Sequence, residues 1–170
     1  SKIPEGYLGI PDPLDPMSAY SIGKRAAEHL CSLYNQRFGL ESVIARCFAF
    51  VGEDLPLRAH FAIGNFIHDA LHSDKITVAG NGAPVRSYMN QADLASWLLC
   101  MLDKGIPGRA YNVGSDEGIS ISELAHLVRD ILSPSKPVIL KNTATTFHGL
   151  NIYIPDISAA KNDFNLDVTI

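Results

Sequence analysis

The sequence predicts an α/β fold, and three observations predict it. A continuous apolar run at 41–51 reads as a strand covered on both faces, the habit of parallel sheets. Elsewhere apolar residues recur every three or four positions, the spacing of amphipathic helices. Short apolar runs and helical stretches then alternate along the chain.

The elements follow in order. Prolines at 4, 11, 13 and 16 exclude helix from the opening segment, which reads as an extended approach. Ser18 is the expected N-cap of a helix over 19–37, where Ala19, Ile22, Ala26, Leu30, Leu33 and Tyr34 share a face; Gly39 stops it. The strand at 41–51 leads into a loop at 52–60 and a helix at 61–72. A strand at 75–79 meets the turn Gly80-Asn81-Gly82-Ala83-Pro84, read as a hairpin into a second strand at 85–89. A helix at 91–103, with Asp93 as its expected cap, ends at Gly105. Trp97, at helical spacing with Leu94 and Met101, is a core residue. A strand at 110–113 precedes a helix at 120–132, whose start carries the Ser120/Glu123 capping box and whose end is closed by Ser133-Pro134. A strand at 138–140 and a weak helix at 157–164 complete the pattern.

The chain has 170 residues, 46% hydrophobic and 19% charged, with a net charge of −4. Those values suit a packed domain or lobe and exclude disorder. The basic face that nucleic-acid phosphates need is missing, and no run of 18 apolar residues spans a bilayer. The three cysteines (Cys31, Cys47, Cys100) are far apart among apolar neighbours, which predicts buried free thiols in a reducing cytoplasm. His68 and His72 stand at i and i+4, a metal-pair spacing, but no third ligand accompanies them, and they read as solvated helix residues. No metal is expected.

Tyr20 and Lys24 carry the sharpest chemistry. Four residues apart in a helix, their side chains stand on one face, roughly 6 Å apart. A nearby ammonium favours phenolate, whose ordinary pKa is about 10. Such a tyrosine can take a hydroxyl proton while hydride leaves the same carbon, or return it in reverse. The spacing is common, so its context decides.

That context runs Asp12-Pro13-Leu14-Asp15-Pro16-Met17-Ser18-Ala19-Tyr20-Ser21-Ile22-Gly23-Lys24, and it resembles the active-site helix of extended short-chain dehydrogenases. More narrowly, it resembles the NAD-dependent nucleotide-sugar epimerase/dehydratase family. Further matches follow in order. Arg46-Cys47-Phe48-Ala49-Phe50-Val51-Gly52 resembles that family's R-P-F-N-V-Y-G, and Asn65-Phe66-Ile67 its N-[FL]-[IM]. Ile76 to Gly80, Val85-Arg86-Ser87-Tyr88 and Asp93-Leu94-Ala95 are similar to its I-x-x-x-G, V-R-D-Y and D-x-A. Tyr111-Asn112-Val113-Gly114 and Tyr153-Ile154-Pro155-Asp156 match its later strand signatures.

The resemblance implies the later part of a Rossmann-like, doubly wound parallel sheet plus a small mixed α/β substrate-binding lobe. Residues 1–60 would end the Rossmann-like portion, and 61–170 would be mainly substrate lobe with interleaved Rossmann elements. Tyr20 would be the acid/base. Lys24 would contact the nicotinamide ribose of NAD, with Cys47 at a cofactor-contacting position. Asn65, Phe66 and Thr77 would contact the sugar–phosphate and base of a nucleoside-diphosphate sugar. Arg86 would hold its pyrophosphate, which suits the forked guanidinium. Several family positions differ: Ala49 stands for Asn, Cys47 for Pro and Val51 for Tyr, and Asn151-Ile152 replaces a second pyrophosphate arginine. No G-x-x-G-x-x-G fingerprint occurs in these residues. The expectation is therefore a fragment or lobe that completes its sheet with further sequence and, alone, neither binds NAD firmly nor turns over. The complete enzyme would oxidise a ring hydroxyl, giving an epimer or a 4,6-dehydrated sugar, and would be a cytoplasmic homodimer packed through the Tyr20 helix. The alternatives are a reductase of a non-sugar carbonyl and a truncated, non-catalytic binding module.

Overall fold

The computed structural model describes residues 1–59, 61–141 and 151–169. His60, the last residue of the expected loop at 52–60, and Ile170 lie outside the described residues. Among the described residues no helix is long and apolar enough to cross a membrane.

A 3-10 turn, Pro16–Ser18, precedes the first long helix, α1 (Ala19–Phe38). Because of that turn the capping role falls to Asp15, whose carboxylate accepts the Met17 N–H at 3.0 Å; Ser18, the expected cap, makes no side-chain cap bond. α1 ends at Gly39, where φ is +65° and the left-handed conformation suits a residue without Cβ. None of its 20 residues is buried, and Leu30, Tyr34 and Phe38 are 52%, 49% and 70% exposed.

The strands form small ladders, mostly parallel. β1 (Ile44–Cys47) pairs with β6 (Ala110–Val113), and β2 (Phe50–Val51) with β5 (Met89–Asn90). β3 (Ile76–Val78) pairs with β8 (Val138–Leu140). β4 (Val85–Arg86) lies between antiparallel β7 (Ile119–Ser120) and parallel β9 (Ile152–Tyr153). The expected single strand at 41–51 is thus two strands. Phe48 N–H still donates to the Val113 carbonyl at 3.0 Å, but the next carbonyl, of Ala49, accepts from Met89 at 3.0 Å, so the chain passes from one ladder to another. The strand at 85–89 splits in the same way. Nor is the 80–84 turn a hairpin, because β3 and β4 have different partners. Gly82 belongs to an entirely different contact: its φ is +72°, and an added Cβ would stand 2.7 Å from Ser122 Cβ.

Two cores result. In the first, β3 is covered by α2 (Ala62–His72) and α4 (Ile121–Leu132), through Phe66, Ala70, Ile76, Val78, Leu124 and Val128. α4 opens with the expected capping box between Ser120 and Glu123. In the second, α3 (Gln91–Lys104) and α5 (Ser158–Phe164) pack with β5 and β6 through Met89, Trp97, Met101, Tyr111, Val113 and Ile157. The cap of α3 is Asn90, which accepts the Ala92 N–H at 2.8 Å. Asp93 is instead buried in the first turn, accepting the Thr169 N–H at 2.9 Å and hydroxyl at 2.6 Å.

The opening segment is tied across the second core. Ile3 bridges to Pro155, exchanging hydrogen bonds of 2.8 Å with Ile154 and Asp156. Asn112, 2% exposed, spends its amide on the carbonyls of Ile3 and Asp156 at 2.9 and 3.0 Å, while its N–H donates to Glu5 at 3.1 Å. The cysteines depart from expectation: all three are free, but Cys47 is exposed and Cys31 and Cys100 are only half-buried. Each lies on a helix or strand face that the described residues leave partly open.

Candidate active site

Ligands of parallel α/β sheets gather beyond the carboxyl ends of the strands. Here β1 ends at Cys47, and the Lys24 ammonium of α1 is near enough to act electrostatically on the Cys47 thiol. Arg46, the residue before Cys47, pins the helix in place. Its Nε and Nη2 donate to the two Glu28 oxygens at 2.8 and 2.7 Å, and its Nη1 donates to the Glu5 carbonyl at 2.7 Å. The fork-on-fork geometry fixes the rotation of α1 as well as its distance. Arg25 adds a second tie, donating to the carbonyls of Leu8 and Gly9 in the proline-rich segment.

On the helix so placed, the Lys24 ammonium lies 5.5 Å from the centre of the Tyr20 ring. Tyr20 is 76% exposed. Neither side chain has an ion-pair or hydrogen-bond partner among the described residues, so both are available to a ligand. The Cys47 thiol is held above its ordinary pKa by the protein packed around it, against the pull of the Lys24 ammonium.

Arg86 approaches from β4. Its Nη1 is anchored on the carbonyls of Val85 and Asn151 at 2.8 and 3.0 Å, which leaves Nε and Nη2 without a partner among the described residues. Its Cζ lies 5.8 Å from the centre of the Tyr153 ring, its register partner on β9. Tyr153 in turn stacks on Phe48 at 4.6 Å and 29°. Burial raises the Tyr153 pKa, the Tyr20 hydroxyl and Cys47 thiol add to that, and the Arg86 cation opposes it. One aromatic side chain thus stands within electrostatic reach of Tyr20, Cys47 and Arg86.

Among the expected residues, Lys24 stands beside the Tyr20 ring and Arg86 beside Tyr153, while Lys24 acts electrostatically on Cys47, and Tyr20 and Cys47 on Tyr153. The other expected contacts are built on the first core. Asn65 is exposed on α2. The Phe66 ring is 3% exposed and packed in the core, so it offers no open face to a base. The Thr77 N–H, on β3, already donates to the Asp69 carboxylate at 3.1 Å. His68 and His72 stack at 4.8 Å, and His68 Nε2 accepts from Arg58 at 3.0 Å. Sequence reasoning assigned no role to Phe48 or Tyr153, although both stand inside the motifs Arg46-Cys47-Phe48 and Tyr153-Ile154-Pro155-Asp156. Pairing of residues 105 positions apart leaves no local signal.

The comparisons with known proteins bear on the family and the fold. A sequence model of the NAD dependent epimerase/dehydratase family matches residues 5–114. UDP-glucuronic acid decarboxylase 1 of Arabidopsis thaliana is 32% identical over 167 residues, which is 98% of this chain and 38% of that protein. The UDP-glucuronic acid 4-epimerase of Bacillus cereus, solved in complex with UDP-glucuronic acid and NAD, superposes with a TM-score of 0.82 at 25% identity, over 100% of this chain and 52% of that one. A UDP-glucose 4-epimerase of Thermotoga maritima, solved with UDP-glucose, gives a TM-score of 0.83 at 22% identity, over 99% of this chain and 52% of that one, a likeness of fold. This chain therefore spans about two fifths to half the length of the relatives it matches.

Proposed function

This chain belongs to the NAD dependent epimerase/dehydratase family, and from that premise we propose that it is the later part of an enzyme acting on a nucleoside-diphosphate sugar, with Tyr20 as acid/base. The observation that carries the reading is the Tyr20–Lys24 pair, open to solvent at the end of β1 and without other partners among the described residues. UDP-glucuronic acid is the first sugar nucleotide to try, because it is the substrate named for the Arabidopsis relative and the ligand of the Bacillus cereus structure.

The residues present suit the nicotinamide end of NAD: Lys24 offers an unpaired ammonium to ribose hydroxyls, and Tyr20 stands beside it. NAD, when bound, supplies the two-electron acceptor for the carbon under oxidation. Tyr20 takes the proton of the sugar 4-hydroxyl at its phenolic oxygen and returns a proton when the ketone is reduced. Lys24 stabilises the negative charge that Tyr20 carries before it takes that proton and again after it gives one back. Arg86 binds the diphosphate with Nε and Nη2, the edge its own carbonyl contacts leave free. Cys47 lines the cofactor side by its backbone, and Asn65 and Thr77 border the substrate lobe. On this reading residues 1–60 end the dinucleotide-binding portion and 61–170 supply mainly the substrate lobe. The exposed row Leu30, Tyr34 and Phe38 supports a homodimer packed through α1, and the free thiols support a cytoplasmic location.

The test incubates the natural full-length protein with NAD and UDP-glucuronic acid, then with UDP-glucose, and weighs the products. Loss of carbon dioxide marks a decarboxylase, loss of water a dehydratase, and an isomer of equal mass an epimerase. No conversion of either sugar nucleotide, with turnover of a non-sugar carbonyl instead, overturns the proposal.

A further inference from the structure

The segment 52–59 carries the chain from the carboxyl end of β2 to α2, and it lies back across that helix as a strap. Leu55 packs on the first core. At Gly64, in the first turn of α2, the Pro56 carbonyl comes so near that a Cβ would stand 2.9 Å from its oxygen. One turn further along, Arg58 Nε donates to His68 Nε2 at 3.0 Å. That is the one side-chain hydrogen bond joining 52–59 to the rest of the protein among the described residues.

The Arg58 bond needs a neutral ring. Nε2 accepts only while it lacks a proton, which puts the ring proton on Nδ1, 3.8 Å from an Asp69 oxygen. Histidine takes up a second proton between about pH 8 and pH 5. The imidazolium is a donor at both nitrogens, so Arg58 would lose its acceptor and face a like charge. Asp69 stays beside the charged ring as its counter-ion, held by the Thr77 N–H at 3.1 Å. No other group takes over the role of His68. His72 stacks on it at 4.8 Å, with Nδ1 engaged by the His68 carbonyl at 3.1 Å. α4 packs on the Phe66 and Ala70 side of α2, and its ionisable groups are engaged within that helix and its cap: Glu123 with Ser120, His126 with Ser122, Arg129 with Asp130. Lys136 donates to the Ala70 carbonyl, and β3 carries no ionisable side chain. Glu53 and Asp54, on the strap itself, are exposed.

We propose that 52–59 is a pH-released strap, latched on α2 by Arg58 while His68 is neutral and let go when His68 is protonated. Release uncovers Gly64 and the turn of α2 that carries Asn65. The device acts whatever reaction the protein catalyses.

Hydrogen exchange of the natural full-length protein, followed by mass spectrometry on peptides from 52–59 and corrected for the intrinsic effect of pH, provides the test. Wild-type protection of the strap is expected to fall about threefold to tenfold between about pH 7.5 and pH 5.5, while peptides from β3 and α4 keep theirs. His68→Gln offers an acceptor that does not titrate, so its strap should stay protected at both pH values. His68→Lys carries a charge at both and should show the weaker protection throughout. His72→Gln should behave as wild type. Equal wild-type protection at the two pH values overturns the proposal, and so does a fall that persists in His68→Gln. A fall shared by β3 and α4 marks loosening of the whole core and overturns it as well.

Discussion

The Lys24 ammonium sits 5.5 Å from the centre of the Tyr20 ring, one helical turn along the same face of α1. Both groups point to open space, so replacing Tyr20 removes a reactive hydroxyl without disturbing packing. Tyr20→Phe in the natural full-length protein is expected to lower kcat by about a hundredfold or more. Thermal unfolding should be unchanged. An active Tyr20→Phe protein would remove the acid/base role.

The Arg46–Glu28 pair is expected to matter for stability. Both side chains are about 30% exposed, and the fork geometry satisfies both carboxylate oxygens. Glu28 also holds the Arg46 pKa above its ordinary value. Glu28→Gln should cost about 1–3 kcal/mol in urea denaturation, because it leaves the guanidinium half-buried without its counter-charge. Asp130→Asn, at a pair whose carboxylate is 58% exposed, should be close to neutral by the same measurement.

Core and surface should separate cleanly on α3. Trp97 is 1% exposed and Leu102 is 85% exposed, five residues further along the same helix. Trp97→Ala should cost about 3–5 kcal/mol through lost contacts and a cavity. Leu102→Ala should stay within about 0.5 kcal/mol.

Acid should loosen the tie between the chain's opening and the second core. Lys2 Nζ lies 2.6 Å from Asp116 Oδ2, and Lys161 lies 3.8 Å from its other oxygen. The hydrogen bond from Lys2 is the main reason the Asp116 pKa is lowered. A depressed carboxylate pKa means the unfolded chain binds more protons in that window. The stabilisation is therefore complete above the ordinary aspartate value of about 3.9, and it is lost as pH falls through the folded value. Asp116→Asn should reduce the acid sensitivity of the melting temperature, with little effect of salt-free acid left to measure at that site.

What the sequence reveals here is local order, and what it hides is partnership. Helical spacing places α1, α2, α3 and α4 to within a residue or two, and the Ser120/Glu123 capping box is realised as read. The strand at 41–51 looks continuous because both halves are apolar; only the positions of Val113 and Met89 break it. The same limit hid Tyr153. Its two-residue strand has no periodicity of its own, and its contacts are with Phe48 and Arg86, brought from distant segments. Phe66 shows a further limit: a motif match says nothing of which way a helical side chain faces, and this one faces the core.

The bridge from Ile3 to Pro155 has a consequence for how the protein is made. A chain emerges from the ribosome from its N-terminal end, and domains fold as their last required segment appears. Ile3 and Asn112 cannot reach their final bonding until the stretch holding Ile154 and Asp156 has been synthesised. Tyr153 arrives in that same stretch, so the site face and the tie that secures the opening segment are completed together. Such a contact, spanning nearly the whole length described, makes assembly slow relative to the helices, which close over a few residues. Interrupting synthesis before that point should yield a nascent chain with formed helices and a protease-sensitive opening segment.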